Sequence, residues 1–145
     1  MTENDPTLVT ELRTSLLPVL SEYGFELRVL EYTPKSFGNC VVELSSTNAV
    51  LTVTQDRGQV FVDVSNPQRP AHKYWLGELV AFLEGEPNPR PLTTLREAVT
   101  VLAAAHRRLL SPELLVARSA ELAAYREAFN ERRWGRHRPS PNGAS

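Results

Sequence analysis

The sequence is poor in cysteine and lysine, has no long apolar run and lacks glycine-rich loops, and each scarcity removes a class of protein. A single thiol, Cys40, cannot form an intramolecular disulfide framework and fits a reducing compartment, so a cytoplasmic location is expected. No stretch approaches the roughly 18 apolar residues of a membrane-spanning helix. The start, "MTENDPTLVT", is acidic and polar where a secretion signal would be basic and then apolar, so no membrane association is expected. Neither a GxGxxG run nor a Walker loop is present, which excludes nucleotide binding by those routes. His72, His106, His137 and Cys40 fall in separate segments without metal-ligand spacing, and no metal or other cofactor is expected.

What is there suits one globular domain. Chains of this length bury about 70% of their unfolded surface, enough for a core without staples. The net charge of −1 is unevenly spread: residues 1–65 carry nine acids against four bases, so the remainder is net basic.

Residues 7–22 repeat apolar side chains at helical spacing through Leu8, Leu12, Leu16, Val19, Leu20 and Tyr23. Pro18 lies inside that stripe and predicts a kink or a restart near Leu17, and Gly24 predicts the stop. From Phe25 the period changes to two. "FELRVLEY", "CVVELS", "AVLTVTQ" and "QVFVDVS" read as four strands of an antiparallel meander, with turn formers between them. An even-numbered loop at Asp56-Arg57-Gly58 keeps the faces consistent; with Arg57-Gly58 as its centre it sets Val53 opposite Val62 and Leu51 opposite Val64. One face then holds Cys40, Val42, Leu44, Ala49, Leu51, Val53, Val60, Val62 and Val64, and is the core.

Helical periodicity returns at "KYWLGELVAFLE", residues 73–84. Thr94 with Glu97 forms a capping-box pattern for a helix to about Leu110, and Ser111-Pro112-Glu113 opens a last helix expected to reach Trp134. The short link between these two predicts an antiparallel helical hairpin. The expected fold is therefore α+β: an N-terminal helix, a four-stranded antiparallel β-meander, then three helices ending in that hairpin. Residues 1–134 form the single domain, and "GRHRPSPNGAS", 135–145, is expected to be a disordered basic tail.

The face opposite the core is chemically mixed. By parity Leu30, Tyr32, Val41, Val50 and Phe61 point the same way as Glu26, Arg28, Glu43, Thr52 and Asp63. Coverage by a helix is the first expectation, because three further helices need somewhere to pack. Left uncovered, an acidic surface studded with aromatics suits a basic protein partner. Tyr32, Glu43, Arg57 at the hairpin tip, Phe61 and Asp63 are the candidate contact residues. Glu43 and Asp63 lie among threonines and Arg28, as on a solvated sheet face, and no catalytic residue is assigned. The alternative site is the arginine-rich end, where Arg132, Arg133, Trp134, Arg136 and Arg138 combine cations and an aromatic in the manner of a nucleic-acid contact.

"YGFEL", "FGNCVVELSS", "LTVTQDRGQVFVDVS" and the tryptophan-led "YWLGELVAFLE" together resemble small bacterial α+β proteins that serve as immunity partners of polymorphic toxins, over roughly residues 12–85. The resemblance implies a non-enzymatic protein that binds one cognate toxin or effector, often by blocking its active site. The expected partner is thus another protein, with a nucleic-acid-associated accessory role as the alternative.

Overall fold

The computed structural model describes residues 6–21, 24–35 and 39–134. The expected tail at 135–145, with Arg136 and Arg138, lies outside the described residues, as do Tyr23 and the side chain of Trp134. The elements in chain order are α1 (Thr7–Glu11), a π-helical turn (Leu12–Leu16), α2 (Leu17–Leu20), β1 (Glu26–Thr33), β2 (Asn39–Ser45), β3 (Val50–Asp56), β4 (Gln59–Ser65), β5 (Tyr74–Trp75), α3 (Leu76–Glu84), α4 (Leu95–Leu109), α5 (Pro112–Leu115) and α6 (Ser119–Trp134).

The first helical segment shows how the chain accommodates Pro18. Proline has no N–H for the preceding turn and its ring crowds the carbonyl four residues back. The backbone widens through Leu12–Leu16 and resumes at Leu17, with Pro18 in the first turn of α2. The apolar stripe survives the adjustment: Leu8, Leu12, Leu16 and Leu20 are all buried.

The five strands form one antiparallel sheet in the order β1-β2-β3-β4-β5. Val53 pairs with Val62 and Leu51 with Val64, as a two-residue turn at Arg57-Gly58 requires. Both central residues have positive φ, 51° at Arg57 and 84° at Gly58, the condition for a type I′ turn that matches the twist of its strands. Asn39 braces the tip, its side-chain amide donating to Asp56 at 3.2 Å and its Oδ1 accepting the Arg57 N–H at 3.0 Å. The inner face, Cys40, Val42, Leu44, Leu51, Val53 and Val64, packs against the α1–α2 leucines and against Ala98, Leu102 and Leu109 of α4 in one cluster. Burial raises the pKa of the Cys40 thiol, which sits there as a small apolar side chain.

Three features differ from the sequence-based expectation. Leu30 is an extra residue in β1, where the register with β2 shifts between Val29 and Glu31. The bulge reverses the faces beyond it, so Tyr32 pairs with Cys40 on the inner side, not with the outer-face residues. A fifth strand, Tyr74–Trp75, precedes α3 and pairs with Asp63 and Val64, because the free edge of β4 takes up backbone that local periodicity assigns to the helix. The last helix is divided: Ser111 caps Pro112–Leu115 through the Leu114 N–H, and a turn at 116–118 precedes Ser119. α6 then packs against α3, with Leu122 and Phe129 buried.

The capping box at the start of α4 is formed as expected. Thr94 Oγ1 accepts the Glu97 N–H at 3.2 Å, and the Glu97 carboxylate accepts the Thr94 N–H at 3.2 Å. Just before it, residues 86–93 are strapped across α3, with the Arg90 N–H on the Gly77 carbonyl at 3.1 Å. A Cβ on residue 77 would lie 1.8 Å from the Arg90 carbonyl oxygen, so glycine is required there by close approach. Gly77→Ala is expected to cost about 3 kcal/mol through displacement of this strap. Circular dichroism should record a melting midpoint lower by roughly 10 °C.

Candidate functional site

The sheet pairing aligns the outer-face residues in rows. Arg28, Glu43, Thr52, Asp63 and Trp75 are successive cross-strand partners over all five strands, and Glu31, Val41, Thr54 and Phe61 form the adjacent row. Glu43, Phe61 and Asp63 therefore share one face as expected, with Arg57 at its hairpin end. Tyr32 is turned away by the bulge. Arg28 and Glu43 form an exposed ion pair at 3.2 Å, an interaction worth about 0–1 kcal/mol.

Helix coverage, the first expectation for this face, is confined to one border among the described residues. Phe61 remains 40% exposed and Trp75 52%, while Val41, Val50, Thr52 and Thr54 are half-buried. Only where β4 and β5 meet α6 does a wall rise beside the sheet, with the Trp75 and Phe129 rings 6.4 Å apart between centroids. Between that wall and the strap lies a groove of about 820 Å³. Thr54, Phe61 and Asp63 belong to its floor and Trp75 and Phe129 to one side; Pro89, Pro91 and Leu92 form the other. Arg90, Arg132 and Arg133 bring three cations to the lining, against the one carboxylate of Asp63.

The walls are fixed from several directions. The Glu86 carbonyl accepts the Tyr125 hydroxyl at 2.9 Å, the Pro87 carbonyl accepts from Arg132, and the Thr93 carbonyl accepts the Val60 N–H of β4 at 2.8 Å. Tyr125 stacks edge-on against Phe82 and tilted against Phe129, each at 5.7 Å.

Beneath the aromatic wall is a buried ion pair. The Glu78 side chain is fully buried, yet its carboxylate accepts Arg126 Nε at 2.9 Å, Arg126 Nη2 at 2.7 Å and the Trp75 N–H at 3.1 Å. Arg126 Nη2 also donates to the Lys73 carbonyl at 2.6 Å, and its guanidinium lies 5.3 Å from the Tyr74 ring centroid. Donation of its N–H groups to the Glu78 carboxylate holds the Arg126 pKa above its ordinary value. Asp63, close by, is shifted the other way in charge preference: burial raises its pKa, opposed by the charges of Lys73 and Arg126.

Sequence reasoning had placed Arg132 and Arg133 in a contact apart from Phe61 and Asp63; the fold brings all four to one groove. It missed Trp75 as a surface residue, together with Phe129 and the strap. Two signals were present in the sequence. The proline-rich "EPNPRP" cannot continue a helix and must run over the surface, and Tyr74-Trp75 combines two strand-favouring residues immediately before the helix. Among the described residues no group of three or more His, Cys, Asp or Glu is placed to hold a metal ion.

Removing Arg126 leaves the Glu78 carboxylate buried without its cation. Arg126→Met is expected to cost about 2–3 kcal/mol, less than a fully buried pair because Arg126 is 39% exposed and screened by solvent. Glu78→Gln in that background should restore part of the loss in urea unfolding. Asp63 makes a pH-dependent prediction. Its folded-state pKa lies above the unfolded value, so its contribution is fully present below the unfolded pKa, about 3.9, and is lost as pH rises through the folded value. Asp63→Asn should therefore melt higher than the parent at pH 7, with the difference closing toward pH 3.5.

No protein-family model matches the chain, and comparison with curated proteins and with solved structures gives no match either.

Proposed function

We propose that this chain is a non-enzymatic protein-binding module that acts in the cytoplasm as an immunity-like inhibitor of a cognate bacterial toxin or effector. The observation that carries the reading is the two-sided character of the sheet. Over β2–β4 its inner face packs against helices, while its outer face presents Glu26, Glu31 and Glu43 across β1 and β2 and the exposed Phe61 and Trp75 on β4 and β5. A rigid sheet holding acids toward one edge and exposed aromatics toward the other suits a partner with a basic surface, the aromatics supplying contact area and the acids orientation and steering. Exposure of Arg57 at the tip of the β3–β4 hairpin supports its inclusion in that contact.

A second reading has a specific observation in its favour. Arg132 and Arg133 line the same groove as Trp75 and Phe61, an arrangement of cations and aromatics that also suits single-stranded nucleic acid.

Purification of the tagged protein from its host at native levels, with mass spectrometry, distinguishes the two. A single stoichiometric protein is expected. Its affinity for the purified chain should fall by about tenfold or more on Phe61→Ala, as for a central aromatic contact, and further on adding Glu43→Lys. Co-recovery of nuclease-sensitive RNA or DNA, with binding that weakens steeply in salt and depends on Arg132 and Arg133, would instead establish the second reading.

A further inference from the structure

We infer that the groove between β4, β5, the 86–93 strap and the end of α6 is a binding site for a small amphiphilic anion: a flat apolar body carrying a carboxylate. The inference stands apart from the identity of any protein partner.

Size and lining come first. At about 820 Å³ the groove falls in the ~300–1,000 Å³ range of small-molecule sites, and its combination of apolar walls with a few polar groups is the usual composition of one. Phe61 and Trp75 are held partly exposed by strand pairing, and Trp75 rests against Phe129 on one side, leaving ring surface directed to the groove. Flat apolar groups stack well on such surfaces.

Pre-organisation comes second. The strap is tied to α3 through Arg90 and Gly77, to β4 through Thr93 and Val60, and to α6 through Glu86 with Tyr125 and Pro87 with Arg132. Two prolines stiffen the stretch between those ties. A ligand entering this space therefore orders little new backbone, which is the cost that weakens binding to mobile grooves.

Charge decides the ligand class. Three arginines line the groove against one carboxylate, Arg90 being ion-paired at 3.7 Å with Glu84 outside the lining, and the pKa of the lining carboxylate is raised by burial. Arg132 uses one Nη2 donor on Pro87, and guanidinium has five N–H donors in all, so the contact to the strap is compatible with a bidentate grip on a carboxylate. A cationic ligand of the same shape meets net repulsion.

The test uses three probes with one body, 2-naphthoate, 2-naphthylmethanol and 2-naphthylmethylammonium, titrated calorimetrically into the full-length protein. Naphthoate is expected to bind at least about tenfold tighter than the alcohol, with the ammonium weakest. Arg132→Gln/Arg133→Gln should abolish the advantage of naphthoate over the alcohol, both measured on the same variant, and Phe61→Ala should weaken naphthoate and alcohol together. The alcohol reports whether the groove itself persists in each variant. Absence of saturable naphthoate binding, an ammonium that binds as tightly as the carboxylate, or a carboxylate preference that survives the double substitution each overturns the inference. Displacement of naphthoate by an oligothymidylate, with a steep salt dependence, would assign the groove to nucleic acid and overturn it equally.

Discussion

The carboxylate of Glu78 is the point on which the second half of the chain converges. It is fully buried, and a carboxylate in that position without partners is costly. Three N–H donors from two residues offset the penalty, and the two residues serve different structural tasks. The Trp75 N–H joins the end of β5 to the start of α3, while Arg126 reaches in from α6 and simultaneously holds the Lys73 carbonyl ahead of β5. The pair contributes little net energy against an apolar replacement, but it specifies geometry. With it in place, α6 lies against α3, Phe129 meets Trp75, and the strap lies between Gly77 and Arg132. Without it, the aromatic wall of Trp75 and Phe129 loses its tie to α3, while the strap keeps its own bonds to Gly77 and Val60.

The sheet was legible in the sequence because alternation carries its own register. Val53 opposite Val62 and Leu51 opposite Val64 follow from parity and from a turn whose residues accept positive φ. Both helix caps at Thr94 and Ser111 were legible for a similar reason: the capping interaction is local, spanning three residues. The bulge at Leu30 was not, since an inserted residue leaves no mark on the composition of a strand yet reverses every side chain beyond it. Tyr32 illustrates the consequence, having the right residue type on the wrong face. β5 escaped for the opposite reason: its two residues continue the periodicity of α3, and only the open edge of β4 selects them as strand.

The groove was illegible for a more general reason. Phe61, Trp75, Leu92 and Phe129 come from four elements, and the Glu78–Arg126 pair that positions them is separated by 48 residues. No spacing rule spans such distances. The charge distribution along the chain pointed to an acidic first half and a basic second half, and both descriptions hold on the surface. The acids lie across β1 and β2, and the arginines gather at the far border near β5. The outer face is thus graded in charge from one edge of the sheet to the other, so that a protein contact on its acidic side and an anion in the groove make different demands on the same layer.

The two edges of the sheet are finished in different ways. On the β4 side, β5 takes up Asp63 and Val64, and the Thr93 carbonyl takes up the Val60 N–H farther along. That border has little backbone left to offer. The opposite border is β1, an outermost strand with no neighbour beyond it among the described residues. An extended chain can add there only along a regular stretch, and Leu30 interrupts the strand near its middle. Side-by-side growth of the sheet from one molecule to the next therefore meets two short regular stretches, residues 26–29 and 31–33, in place of one long edge. The residue that misleads the reading of Tyr32 is also the one that breaks the open edge of the sheet, where another extended chain would have to pair.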